Sequence, residues 1–195
     1  MCHQLPRGPG FWSFLLSIDE DLAQRVRQQA CPCCGGRLDC ANYPRRPRGC
    51  PEGLPERYDR RLSFCCDRDG CRKRVTPPSV RFLGRKVYLA AIVVLVAAMR
   101  QGPTPRRARE LSRLIGADRA TILRWQVFWR EQFPQTPFWK AARGRLVPAV
   151  EVAVLPRSLL GAFVRTDDPW RWLGNLLRFL SPLTVPRSHE IKISR

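Results

Sequence analysis

Histidine is almost missing from this chain: His3 and His189 are the only two in 195 residues. That excludes a histidine-pair nuclease centre and leaves no internal base to activate a cysteine nucleophile. Lysine is scarce as well. Lys73, Lys86, Lys140 and Lys192 are the only four among 35 basic residues, so 31 are arginine. A GC-rich genome would raise the arginine share, but it would not raise the net charge. Acids number 16 and fall mostly in caps, turns and the cysteine-rich loop. The chain shows no strand-borne Asp paired with a distant Asp and Glu, the trio that two-metal strand-cleaving cores need, so we expect no catalysis. Internal repeats and low-complexity tracts are also lacking.

Long apolar runs are equally rare. Val87–Met99, between Lys86 and Arg100, is the one membrane-like stretch. As a helix it reaches roughly 20 Å, short of a bilayer core of about 30 Å. Phe11–Leu16 is followed at once by Asp19, Glu20 and Asp21, with no small-residue cleavage site. The expectation is a soluble, cytoplasmic, reduced protein without a membrane partner.

What the chain has is positive charge. The formal net charge is +19 and the pI about 11. Such a chain repels itself unless an anionic partner neutralises it, and nucleic acid is the usual one. Arginine forks onto phosphate and guanine in a way lysine does not. Apolar residues make up 44%, enough for a real core.

Nine cysteines in a chain without a secretion signal point to metal ligation rather than disulfides. Cys31 and Cys34 form a C-P-x-C-G-G turn in which two thiolates face one Zn²⁺ and the glycines permit a left-handed closure. Cys66 and Cys71 form the second pair, with Gly70 just before the last ligand. Cys65 would point to the opposite face of a strand, so Cys66 is the chosen ligand. Four sulfurs make a closed, structural site for one zinc ion, which replaces a core that this small segment cannot build. Cys2, Cys33, Cys40 and Cys50 are left without a role.

Helical signals surround this segment. Ser17 and Glu20 have capping-box spacing, which predicts a helix over 17–29 with Ile18, Leu22 and Val26 on one face. Tyr43–Arg61 reads as a long loop. Helices are expected at about 86–101, 105–115 and 118–132, then at 157–164 and 169–180. Thr104 with Pro105, then Leu111, Ser112, Ile115, Gly116, Ala117, Ile122 and Trp125, have the spacing of a helix-turn-helix. Asp118 caps its second helix, whose first turns would present Arg119 and Arg124 to bases, with Thr121 and Gln126 as secondary contacts. Arg106, Arg107 and Arg109 would flank the backbone. Residues 81–150 hold 14 basic residues against three acids, a net +11.

The Cys31 and Cys66 turns, the basic residues after Cys71 and this helix pair resemble the N-terminal DNA-recognition part of bacterial insertion-sequence transposases. So does the stretch from Cys65 to Arg85, with its Pro-Pro-Ser-x-Arg-Phe-Leu-Gly-Arg ending. The resemblance covers roughly residues 28–130. It implies sequence-directed binding to mobile-element DNA, with strand transfer left to a transposase or recombinase partner.

The expected fold is mainly α with a small β zinc ribbon, a three-helix core built on the helix-turn-helix, and apolar C-terminal helices. The divisions are an N-terminal helix (1–30), the zinc ribbon with its basic loop (31–80), the helix-turn-helix domain (81–147), the C-terminal helices (148–185) and a tail (186–195). The C-terminal helices either complete one core against Val87–Met99 or form the surface of a homodimer. The expected function is duplex-DNA binding as an accessory or regulatory factor near the nucleoid. The alternatives are a structural RNA- or ribosome-associated protein and a protein-interaction adaptor.

Overall fold

The computed structural model describes residues 9–47, 53–82, 109, 118–163 and 168–185, without the side chains of Pro9, Phe11, Pro169 and Trp170. These residues are mainly helical, with two small sheets. The expected helices at 86–101 and 105–115 lie outside them, and so does the first half of the helix-turn-helix.

Helix α1 runs Pro9–Gln28. It starts eight residues before the predicted capping box, so that expectation is corrected. Ser17 sits inside the helix and donates its hydroxyl to the Phe14 carbonyl at 2.8 Å. The reason is burial: Trp12, Leu15, Leu16 and Ile18 are all nearly inaccessible, so this apolar run lies inside a helix and contributes to the core. The turn after the helix closes at Ala30, in left-handed backbone (φ 60°).

Next come β1 (Leu38–Cys40), β2 (Tyr43–Pro44), β3 (Arg60–Arg61), β4 (Phe64–Cys66) and β5 (Arg74–Val75). They form an antiparallel sheet of order β1-β4-β5, with Leu38 opposite Cys66 and Phe64 opposite Val75. The ends of the predicted 43–61 loop pair as β2–β3, and a 3₁₀ turn spans Glu56–Asp59. Ala23 and Val26 of α1 pack on Cys31, Leu38, Phe64 and Cys66.

Helix α2 (Arg119–Val127) starts on Asp118, as expected, and its Oδ1 accepts the Thr121 N–H at 2.6 Å. The chain then widens into a π-turn (Phe128–Gln132) and tightens into a 3₁₀ turn (Phe133–Gln135). Thr136 caps α3 (Pro137–Ala142). The Phe133 ring packs at a tilt against Trp129 and Trp139, with centroids 4.8 and 4.9 Å away. Helices α4 (Arg157–Phe163) and α5 (Pro169–Leu180) fall within one residue of their predicted spans.

One apolar cluster joins α1, α2, α4 and α5. Leu173, Leu176, Leu177 and Leu180 are buried in it. A Cβ on Gly174 would sit 2.5 Å from the Phe14 ring, so this glycine sets how closely α5 approaches α1. Among the described residues, α5 covers α1; the expected partner Val87–Met99 lies outside them.

The deepest polar feature ties these parts together. Asp19 and Arg81 are both fully buried and paired at 2.7 Å. Asp19 also accepts the Ser79 hydroxyl and the Val80 N–H, each at 2.6 Å. Arg81 donates to the carbonyls of Tyr58 (2.5 Å) and Arg60 (2.9 Å). The Ser79 N–H reaches Thr184 Oγ1 at 2.9 Å, beyond the end of α5. Thus the short strap 79–82 clamps α1, the β3 turn and the C-terminal turn at once.

Removing one partner of such a pair strands a buried charge, at about 3–5 kcal/mol. Asp19→Leu alone should therefore cut urea stability by about that amount. Asp19→Leu with Arg81→Met should recover most of the loss. A double variant no more stable than the single would show that the pair does not act as a unit.

Candidate metal centre and basic helix face

Two tight turns bring four sulfurs together. In the first, the Gly35 N–H donates to the Cys31 carbonyl and the Cys31 N–H to the Gly36 carbonyl, both at 2.8 Å. Gly35 takes φ +67°. Gly36 is needed for space: a Cβ there would meet Cys66 Sγ and Arg68 Cγ at 2.9 Å. In the second turn, the N–H groups of Cys71 and Arg72 both reach the Arg68 carbonyl at 3.2 Å. Gly70 (φ 80°) and Arg72 (φ 41°) supply the left-handed backbone.

The sulfurs of Cys31, Cys34, Cys66 and Cys71 all lie within 4.8 Å of one another. Cys31 and Cys71 are 3.8 Å apart, and Cys34 and Cys66 are 3.4 Å apart. Sulfurs at the corners of a tetrahedron around a metal with bonds of about 2.3 Å stand about 3.8 Å apart. The four cysteines can therefore hold a metal ion with little movement. They are the four expected from the sequence. Cys65 points away, towards the Arg72 carbonyl at 3.4 Å, as strand alternation requires. Cys33 and Cys40 are exposed, whereas Cys2 and Cys50 lie outside the described residues.

The thiols differ in their readiness to ionise. Cys31 is lowered from 9.0 to about 7, chiefly by the Cys33 N–H, with the Cys34 N–H adding to it against the opposing effect of burial. Burial pushes Cys66 up to about 12, and its neighbouring thiols add to the rise. An apolar pocket of this kind disfavours four free thiolates and favours thiolates shared with a cation.

The second candidate surface is the outer side of α2. Arg119 and Arg124 are exposed on it. Thr121 and Gln126 are each only 8% exposed, which corrects the expectation that this helix presents them. Their side follows Ile122, Trp125 and Trp129 into the core. Thr121 has another role: its hydroxyl accepts from Arg124 Nη2 at 2.7 Å, while its N–H is held by Asp118. Hydrogen bonds to Asp118 from the Thr121 N–H and then the Thr121 hydroxyl, helped by the Arg124 charge, keep its carboxyl below the usual range. Leu123 and Val127 are 45% and 41% exposed beside the arginines, a feature the sequence reading missed. Arg109 is exposed; Arg106 and Arg107 lie outside the described residues.

The metal geometry makes a graded prediction. Elemental analysis after dialysis should show Cys31→Ser and Cys66→Ser losing the ion and Cys65→Ser keeping it. Gly36→Ala should weaken metal affinity by roughly tenfold or more, as disturbed support around ligands does. Gly144→Ala, where a Cβ meets open space, should not. Metal retained in Cys66→Ser and lost in Cys65→Ser would reassign the fourth ligand.

Comparison of this chain with protein-family models, with curated proteins and with solved structures found no match.

Proposed function

We propose that this chain is a zinc-stapled, sequence-directed duplex-DNA-binding protein. In this reading Cys31, Cys34, Cys66 and Cys71 hold one structural Zn²⁺. The all-sulfur donor set supports zinc, because soft thiolates in a closed tetrahedral site select it over hard cations. The ion replaces apolar core in the small sheet and does no chemistry.

The observation that carries the DNA reading is the side of α2 bearing Arg119 and Arg124. It is exposed and lies in a strongly basic part of the chain, residues 81–150 with net +11. Thr121 holds the Arg124 guanidinium from one side, which lowers the entropy lost when that fork meets a guanine edge. Leu123 and Val127 lie beside it, where apolar groups can meet thymine methyls. The resemblance of residues 28–130 to transposase recognition regions favours an accessory or regulatory role in a mobile element. Strand cleavage then falls to a separate transposase or recombinase.

The test is a comparison of variants on a selected site and on random duplex. Arg124→Ala should weaken the selected site by about 1–3 kcal/mol more than the random one. Thr121→Val should lose part of the same discrimination while the protein stays folded. Arg107→Ala, as a phosphate contact, should weaken both DNAs alike and make the salt dependence shallower. Equal losses on both DNAs for Arg124→Ala and Arg107→Ala would reject this docking.

A further inference from the structure

A cavity of about 340 Å³, which shares no lining residue with either surface described above, lies between the segment after α3 and helices α4 and α5. Its apolar side is Leu146, Val147, Phe163 and Trp172, and its polar side is Arg145, Arg171 and Asn175. Arg171, Trp172 and Asn175 follow one another around a single turn of α5, so one helix face supplies both the charge and the apolar wall.

Two arginines stand at its opening. Arg37, Arg46, Arg57, Arg60 and Arg81 each meet a carboxylate. The guanidinium groups of Arg145 and Arg171 have no ion pair or hydrogen bond with the described residues, and both side chains are exposed. Two forks without a partner among the described residues, at one opening, suit a group with more than one negative oxygen. The apolar wall suits a planar body, and the Asn175 amide offers a donor and an acceptor together, as the edge of a nucleobase requires. The volume lies at the small end of ligand pockets, sized for one nucleotide and not for a duplex.

We infer that this cavity is a binding site for a nucleoside monophosphate unit, its phosphate on Arg145 and Arg171 and its base against the apolar wall and Asn175. The unit can come from a free nucleotide or from the phosphorylated end of a DNA strand. The site is independent of the α2 face, so either can fail without the other.

The probe is dAMP, added to the full chain and read by melting temperature and calorimetry. At roughly fivefold excess over its dissociation constant, it should raise the melting temperature by about 2–4 °C. Deoxyadenosine and inorganic phosphate should each bind at least tenfold more weakly. Arg145→Ala and Arg171→Ala should each weaken dAMP at least tenfold without changing the melting temperature of the free protein. Arg178→Ala, another exposed arginine of α5, should do neither. A single strand with a 5′-phosphate is then compared with its 5′-hydroxyl twin. A preference for the phosphate that disappears in Arg171→Ala identifies a strand end as the source; dAMP binding without that preference identifies the free nucleotide. dAMP that binds no better than deoxyadenosine, or that keeps full affinity in both arginine variants, overturns the proposal.

Discussion

The buried pair of Asp19 and Arg81 is the constraint on which the arrangement of the described residues depends. Neither group is accessible to water. Each is therefore tolerable only while the other is in place and the remaining hydrogen-bonding positions are filled. They are filled by Ser79 and Val80 on the acid and by the Tyr58 and Arg60 carbonyls on the base. The rings of Tyr58 and Phe82 cover the guanidinium at 4.9 and 5.5 Å. Burying an ion pair seldom adds net stability, but it admits few alternatives. Here it fixes where α1 lies against the strap, and so which face of α1 is left for the rest.

Helix α1 serves two small cores with that face. Its first half, with Trp12, Leu15 and Leu16, packs in the cluster shared with α2, α4 and α5. Its second half, with Ala23 and Val26, lies against the cysteine sheet. That sheet has few apolar residues, so in our reading a metal ion supplies the cohesion that side chains do not. The larger cluster fixes the rotation of α2 by burying Ile122, Trp125 and Trp129, and this leaves Arg119 and Arg124 facing outward. The cores and the basic face are thus parts of one mechanical chain that begins at Asp19.

The features legible in the sequence are those set by local chemistry. The four cysteines were legible because ligand spacing and the flanking glycines are short-range. Helix α5 was legible because Trp172, Leu173, Leu176, Leu177 and Leu180 crowd twelve residues. Asp118 was legible because a cap is decided within one turn. What escaped depends on distant partners. The start of α1 was hidden because the apolar run before Ser17 only makes sense once α5 covers it. Asp19 was hidden in an acidic run that looks solvated, and its partner lies 62 residues away. The inward turn of Thr121 and Gln126 was not legible because periodicity gives a helix its faces but not its rotation against a core.

The claim that most needs testing is that duplex DNA is what this charge is for. The direct measurement is the affinity of the full chain, purified with zinc present, for a duplex DNA and for the duplex RNA of the same sequence, each titrated with salt. Neutralising four or more phosphates gives a slope of log affinity against log salt steeper than about −3.5 on B-form DNA. The account predicts such a slope on DNA and weaker binding to RNA at every salt concentration. Equal or tighter binding to RNA, or an affinity for DNA that hardly changes with salt, would contradict it.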